Sequence, residues 1–484
     1  MIRKYRIILS LLFLAFIVRL YNISTPLLDW HSFRQVDTAS VTQEFVVNGV
    51  DILLPRYHDL SNIQSGKENP EGWRMVELPL PQALVAVIVR AVPAFSLVVV
   101  SRLLTVFFSL ITLISIYYLV RDISGEIPAR LSALVFAILP YSVFYSRVIM
   151  PDPIMVGLSS AAILCFWLWT KKYHSRYLLL TGLLMALSLL IKPFSLFLAP
   201  VFLAIAITEF AKIGWKKIIQ AVVIGGISLL PLLWWRNWIL QFPAGIPASD
   251  WLYNGPINEV PPRLRPVWFR WLWYERLTKL MLGYVGVTFL FSNFISFFSK
   301  ITKRTRNELL IYGSWWLAVI LFFIVIARGN VQHDYYQIFM LPILSISVGR
   351  GMYLLLNLLK KYNKRIAYLS VASLFLVMIF LAWQQVKGYY VINHWEYVEA
   401  GARVQALTNP EDLVIAPAFG DTMFLFQTRR RGWPIGFEID KKIAAGAQYY
   451  ITTSYDDEAR ELEKEYLTLE KTDKYLFLDL QKHL

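Results

Sequence analysis

Residues 24–81 read STPLLDWHSFRQVDTASVTQEFVVNGVDILLPRYHDLSNIQSGKENPEGWRMVELPLP. This polar stretch begins where the first hydrophobic run ends, and most of the remaining chain is apolar segments joined by short basic loops. Charges near a bilayer are costly and tend to be kept for function, so a long loop rich in Asp, Glu, His, Arg and Trp is where chemistry is expected. Asp29, His31, Arg34, Gln35 and Asp37 fall close together, and Glu77 precedes the return to apolar sequence. Asp37, Ser40, Val41 and Glu44 recur at helical spacing, which predicts an amphipathic helix lying on the membrane. Thr25 to Leu28 form the expected exit turn, setting Asp29 close to the bilayer surface.

Working outward, 57% of the 484 residues are hydrophobic and 17% are charged. That balance indicates a polytopic α-helical membrane protein rather than a soluble enzyme. The net charge of +15 does not point to nucleic acid, because the basic residues sit between hydrophobic runs and give a positive-inside pattern. Cys165 is the single cysteine, so neither a disulfide framework nor a cysteine metal site is available. MIRKYR followed by IILSLLFLAFIV, with no small-residue cleavage site after it, reads as an uncleaved signal-anchor.

Runs long enough to span occur near 6–22, 98–120, 129–146, 153–170, 177–191, 194–211, 218–235, 278–298, 309–327, 336–358 and 366–384, about eleven transmembrane helices. The basic loops at Arg3/Lys4/Arg6, Arg121/Arg130, Lys171/Lys172/Arg176, Lys212/Lys216/Lys217, Lys300/Lys303/Arg304/Arg306 and Lys360/Lys361/Lys364/Arg365 then all face the cytoplasm. Counting 78–92 as a span would break that agreement, so it is expected to be an interfacial or re-entrant helix of the first outer loop, 23–97. The N-terminus is expected inside, and the C-terminus outside, a prokaryotic plasma membrane. Residues 1–390 form the expected membrane catalytic domain. Residues 391–484 change character: DLVIAPAF, QYYITTS and YLFLDLQ read as strands, and NHWEYVEAGARVQALT and SYDDEARELEKEYLTLE as helices. A small extracytoplasmic α/β domain is expected there.

On the outer side the unusual polar residues are Asp29, Asp37, Arg147, Asp152, Lys192, Arg328, His333, Asp334, Tyr335 and Tyr336. A carboxylate there can take a proton from an acceptor hydroxyl, and an arginine can pair a phosphate bidentately. Pairing and capping are the plain alternatives. Asp152 follows Pro151, where a helix start favours a negative charge. Lys192 can snorkel to the headgroups, and aromatic belts place tyrosines such as Tyr335 and Tyr336 at the interface. No P-loop, GxGxxG after a strand, HExxH or GxSxG occurs.

These residues resemble the GT-C superfamily, and within it the family-39-type enzymes of the protein mannosyltransferase and aminoarabinose transferase kind. The resemblance rests on a first-loop His-x-x-Arg-Gln-x-Asp pattern (His31 to Asp37), Asn48-Gly49, Glu77-Leu-Pro-Leu, Arg147…Pro151-Asp152, Lys192-Pro193 and His333…Tyr335-Tyr336. It implies transfer of a sugar from a polyprenyl-phosphate donor to a hydroxyl of an extracytoplasmic glycan, lipid or protein, by inverting displacement. The first-loop general base is then Asp37 or Asp29. His31, Arg34, Gln35, Glu77, Arg147, Asp152, Lys192, Arg328, His333, Tyr335 and Tyr336 are the candidate substrate-binding residues. The better-known branch has Lys-Pro-Pro-Leu where this chain has Glu77-Leu-Pro-Leu, so the cation for the phosphate must come from Arg34, Arg147, Lys192, Arg328 or His333. No cofactor is required, although Asp29, Asp37 and Asp152 are candidate ligands for a divalent metal. The partners implied are the donor lipid, an unspecified acceptor and the bilayer. A lipid-linked saccharide flippase and a non-catalytic membrane scaffold are the alternatives from other classes.

Overall fold

Hydropathy and proline placement account for most of the helices. The structure, a computed structural model, describes residues 2–254, 259–298 and 303–484, with the side chains of 2–4, 210–213, 298, 303 and 304 outside the described set. Lys300 and the side chains of Arg3, Lys4, Lys212, Lys303 and Arg304 therefore lie outside the described residues. Among the described residues, six helical stretches are long and apolar enough to cross a membrane: Leu97–Ser124, Pro151–Lys172, Gly214–Ile239, Thr305–Val325, Asp334–Leu359 and Lys364–Leu407.

Other expected spans are shorter or broken. The run at 129–146 divides into Glu126–Ile138 and Pro140–Tyr145, because Pro140 has no N–H to continue the ladder. The carbonyl of Phe136 is freed by that break and accepts from Ser142 Oγ at 2.8 Å and Arg19 Nη2 at 3.1 Å. Arg19 Nη1 takes the carbonyl of Ala137 at 2.8 Å. The stretch at 194–211 opens as a 3-10 turn over Pro193–Leu198, and the run at 278–298 holds the end of a π-helix, Trp271–Met281, followed by Val287–Ile295. Residues 78–92 give a helix of only 12 residues, Leu80–Ala91.

The chain divides into two compact units. The first comprises Met1–Ile23, Thr105–Trp235 and Ser249–Gly388. Its helices approach closely where side chains are small. On Leu341–Leu359, Gly349 lies against the backbone of Ser132 and Gly351 against the carbonyl of Phe289, with no room for a Cβ at either. Arg350, between them, is a charge inside an apolar run; it pairs with Glu308 at 2.5 Å and bonds Asn293.

The second unit comprises Ser24–Leu104, Arg236–Ala248 and Tyr389–Leu484. Its sheet has β1 (Leu413–Ile415), β2 (Gly432–Trp433), β3 (Ala447–Thr452), β4 (Tyr466–Lys471) and β5 (Leu476–His483) in the order β2-β1-β3-β5-β4. The pairs of β1 with β2 and β3 are parallel, and those of β5 with β3 and β4 are antiparallel. YLTLE, expected in a helix, is strand β4 after the short helix Asp457–Glu465. The polar loop is built into this sheet. The Leu60 N–H donates to the Gly432 carbonyl at 2.8 Å, and the Gly432 N–H donates to the His58 carbonyl at 2.9 Å. Leu60 shares a core with Ile415, Trp433 and Tyr450, and Leu28 shares one with Val404, Phe424 and Phe477. The helix expected on the membrane surface runs over Ser32–Asn48 and buries Gln35, Asp37, Ser40, Thr42 and Glu44. It is an interior element of this unit.

Candidate active site

Two polar clusters hold the candidate residues, one in each unit. In the second unit the centre is Asp37, on a buried face of Ser32–Asn48. Its Oδ1 accepts from Thr422 Oγ1 at 2.7 Å, and its Oδ2 accepts from Gln64 Nε2 at 3.0 Å and faces Arg74 Nη2 at 2.9 Å. Arg74 also bonds the Gln64 side-chain carbonyl and lies over the Tyr57 ring at 5.1 Å. Arg74, Gln64 and Thr422 escaped the sequence reading, since each is an ordinary polar residue in an irregular segment. Asp421 escaped it too. Burial pushes its carboxyl up to about 6; the Asp37 charge adds to the rise, and a hydrogen bond from the Met423 N–H opposes it.

Asp29 belongs to a different set of contacts. It accepts from Gln35 Nε2 at 2.6 Å and pairs with Arg102 Nη2 at 3.3 Å, both charged side chains being fully buried. Arg102 also donates to the Thr25 carbonyl at 2.7 Å. Asp29 thus fastens the start of the polar loop to the first turns of Leu97–Ser124.

Arg34 is committed to Glu77, donating to both carboxylate oxygens at 3.0 and 2.9 Å. Burial pushes the Glu77 carboxyl up, but the Arg34 and Arg74 charges outweigh it and hold the group below its usual range. His31 stands in the left-handed region at the start of its helix (φ 55°), edge-on to Trp30, which stacks on Tyr389 at 4.9 Å.

The first unit gathers Asp152, Lys192, His333, Tyr335 and Tyr336. Asp152 lies in the first turn of Pro151–Lys172, where Pro151 fixes the helix start. Lys192 sits in the extended break after Ser175–Ile191, and its Nζ meets Asp152 Oδ1 at 2.7 Å. The same ammonium faces the rings of Tyr336 at 4.3 Å, Phe194 at 4.7 Å and Tyr335 at 5.5 Å. His333 stacks on Tyr335 at 5.1 Å. Among the described residues, Asp152 Oδ2 is buried with no hydrogen-bond partner. Asp334, beside this group, accepts from Tyr145 and faces Arg276 at 3.5 Å. Arg147 is fully buried and donates to the Asn22 carbonyl at 3.1 Å. Arg328 is half-buried on Ala327–Gln332. Among the described residues no three His, Cys, Asp or Glu side chains are grouped to hold a metal ion.

Residues 79–235 match the family model for dolichyl-phosphate-mannose-protein mannosyltransferases. No curated protein sequence matches significantly. In fold, the chain is similar to ArnT from Cupriavidus metallidurans bound to undecaprenyl phosphate, with a TM-score of 0.68 at 12% identity over 98% of both chains. The apo state of ArnT gives 0.66 at 13% identity over 97% of both. The Archaeoglobus fulgidus oligosaccharyltransferase gives 0.57 at 12% identity, over 92% of this chain and 68% of that one. The family match covers about a third of the chain, and the likeness to ArnT, at 12% identity over 98% of both chains, is one of fold.

Proposed function

We propose that the chain moves a sugar from a polyprenyl-phosphate donor to an acceptor hydroxyl outside the cytoplasm by a single inverting displacement. The observation that carries this reading is the likeness to ArnT over 98% of both chains, in a structure whose ligand is undecaprenyl phosphate. The acceptor oxygen attacks the anomeric carbon, and the bond to the phosphate oxygen breaks with its electron pair. The acceptor proton passes to a carboxylate, for which Asp37 is assigned. Asp29 is the poorer choice, because its partner Arg102 also holds the Thr25 carbonyl, so that the pair fastens the start of the polar loop. For Asp37 to act, Gln64 must yield its hydrogen bond on Oδ2 to the incoming hydroxyl, while Thr422 keeps Oδ1 oriented.

Lys192 is assigned to the lipid phosphate. Its ammonium has aromatic faces around it and a carboxylate on one side, a setting in which a cation is partly desolvated and interacts strongly with an anion. Arg34 is the weaker candidate because Glu77 already occupies its fork. A phosphate is a good leaving group, so neither a general acid nor a metal is needed, and the plasma membrane with an outward-facing active site is the expected setting. The test is sugar transfer in membranes from radiolabelled polyprenyl-phosphate sugars. Discharge by the wild type and not by a folded Asp37→Asn variant is expected; a wild type that discharges no donor overturns the reading.

A further inference from the structure

In the second unit, the parallel neighbours β1 and β2 each run into a loop that carries a phenylalanine in a backbone conformation suited to glycine. After β1, residues 418–421 form a turn closed by the Asp421 N–H on the Ala418 carbonyl at 2.9 Å. Its two central residues, Phe419 and Gly420, have φ of 54° and 84°. After β2, Phe437 and Glu438 have φ of 62° and 46°. The two loops are joined, because the Ala418 and Gly420 N–H groups both donate to the Pro434 carbonyl, at 2.9 and 3.0 Å. Ile63 of the polar loop packs on Gly420, where a Cβ would meet it at 2.9 Å. A bulky residue at positive φ is strained, and such strain gathers at ligand sites. Packing does not repay it here: the Phe419 side chain is fully exposed and Phe437 is 72% exposed.

The turn after β1 runs straight into the proposed catalytic group. Asp421 ends it, and Thr422, the next residue, bonds Asp37. Asp421 is half-buried, and its Oδ1 accepts the Met423 N–H at 2.9 Å. Among the described residues that is its one hydrogen-bond donor, so Oδ2 is able to accept. The charged groups that face Asp421 are Asp37, a second carboxylate, and His394. Two carboxylates repel a phosphate, and an acyl chain on the rings would bring the charges of Asp421 and Glu438 into hydrocarbon. A sugar ring fits both features. Its C–H face lies against an aromatic ring, and its hydroxyls donate to a carboxylate.

We infer that the 418–421 turn binds a neutral saccharide, with the sugar's apolar face on Phe419 and its hydroxyls on Asp421 Oδ2, and, resting on the transfer reading above, that this saccharide is the acceptor. Phe437, on the joined loop at the same edge of the sheet, supplies a second ring. The turn that grips the sugar and the hydroxyl that orients Asp37 are consecutive in the chain, so the saccharide is held beside the group that is to take its proton.

The experiment uses the full chain in phosphatidylcholine nanodiscs and saturation-transfer NMR, with neutral hexasaccharides of glucose, mannose and N-acetylglucosamine as probes. Phe419→Gly removes the ring and suits the left-handed backbone, so the turn is kept; Phe419→Tyr keeps the ring. Wild type and Phe419→Tyr are expected to bind at least one hexasaccharide alike. Phe419→Gly should bind it about tenfold more weakly, and Phe419→Gly/Phe437→Gly more weakly still, with unfolding midpoints no lower than the wild type's. Equal binding by wild type and Phe419→Gly overturns the inference, as does a wild type that binds none of the three sugars. A serine- and threonine-rich peptide bound through Phe419 in their place overturns it too, since the partner is then a polypeptide. Donor discharge by the wild type is measured in parallel. Its absence would sink the transfer reading, while the binding difference between wild type and Phe419→Gly would still decide whether the turn holds a saccharide.

Discussion

Thr422 donates its hydroxyl to Asp37 Oδ1 at 2.7 Å across 385 residues of sequence. The bond ties the loop before Met423–Thr428 to the helix of the first polar segment, so the C-terminal residues help set where the proposed base points. Removing the hydroxyl leaves a buried carboxylate short of one donor, a loss of about 1–3 kcal/mol. Thr422→Val should therefore slow transfer about tenfold or more, while Thr422→Ser restores it. Rescue by serine is the informative readout, because a purely packing role would favour the isosteric valine.

Asp37 and Asp29 should separate cleanly. Asp37→Asn keeps the shape but cannot take a proton, so transfer by the folded fraction should fall about 10²–10⁴-fold, over and above any stability lost because Arg74 is left without its charge partner. Asp29→Asn leaves the buried Arg102 guanidinium without its charge partner. Breaking a buried pair in this way costs about 3–5 kcal/mol, so the expected signature is a lower unfolding midpoint with transfer retained by the folded fraction. The reverse pattern in the two variants would exchange the assignments.

Hydropathy revealed the membrane class and the helices with long, uninterrupted apolar runs, because burial in lipid demands such runs. It was blind to breaks whose cause is tertiary. The carbonyls freed near Pro140 are taken up by Arg19 and Ser142, which no local pattern announces. At the site, motif order pointed to Asp37, Asp152 and Lys192, which carry charge at unusual places. Arg74, Gln64 and Thr422 had no such signal. Each becomes notable only once folding brings it to Asp37. The edge pairing of Leu60 with Gly432 is equally non-local.

Lys192 and Asp152 must be tested together. Lys192→Met alone strands a buried carboxylate, and any loss could reflect misfolding. Lys192→Met/Asp152→Asn removes both charges. The double variant should fold yet discharge a polyprenyl-phosphate donor about 10²–10³-fold more slowly, whereas Lys192→Arg should keep part of the rate. Discharge by the double variant at the wild-type rate would remove Lys192 from the mechanism.

Both oxygens of Asp37 are already engaged by Thr422, Gln64 and Arg74, a donor set suited to an anion and hostile to a cation. Incubation with EDTA followed by desalting should therefore leave transfer unchanged. Loss of transfer that magnesium or manganese restores would show a metal requirement that these side chains do not suggest.

The neighbours His58 and Asp59 pull stability in opposite directions with pH. Burial, reinforced by Arg431, Arg429 and Arg430, pushes His58 down to about 3 from 6.5, so below about pH 6.5 the unfolded chain binds a proton that the folded one refuses. Stability from this residue is full above that pH and is lost as pH falls toward 3. Burial raises Asp59 from 3.8 to about 6, despite hydrogen bonds from Ser61. The folded chain therefore holds a proton between about pH 6 and 3.8 that the unfolded one releases, and stability from Asp59 grows on acidification. Fully developed, the two effects are on the order of 5 and 3 kcal/mol, since one pKa unit corresponds to about 1.4 kcal/mol. Tryptophan-monitored unfolding between pH 7 and 4 should show the difference. Asp59→Asn removes the compensating gain, so its stability should drop more steeply with acid than the wild type's. His58→Gln should make the profile shallower. Parallel profiles for wild type and both variants would mean that neither side chain titrates out of step with the unfolded chain.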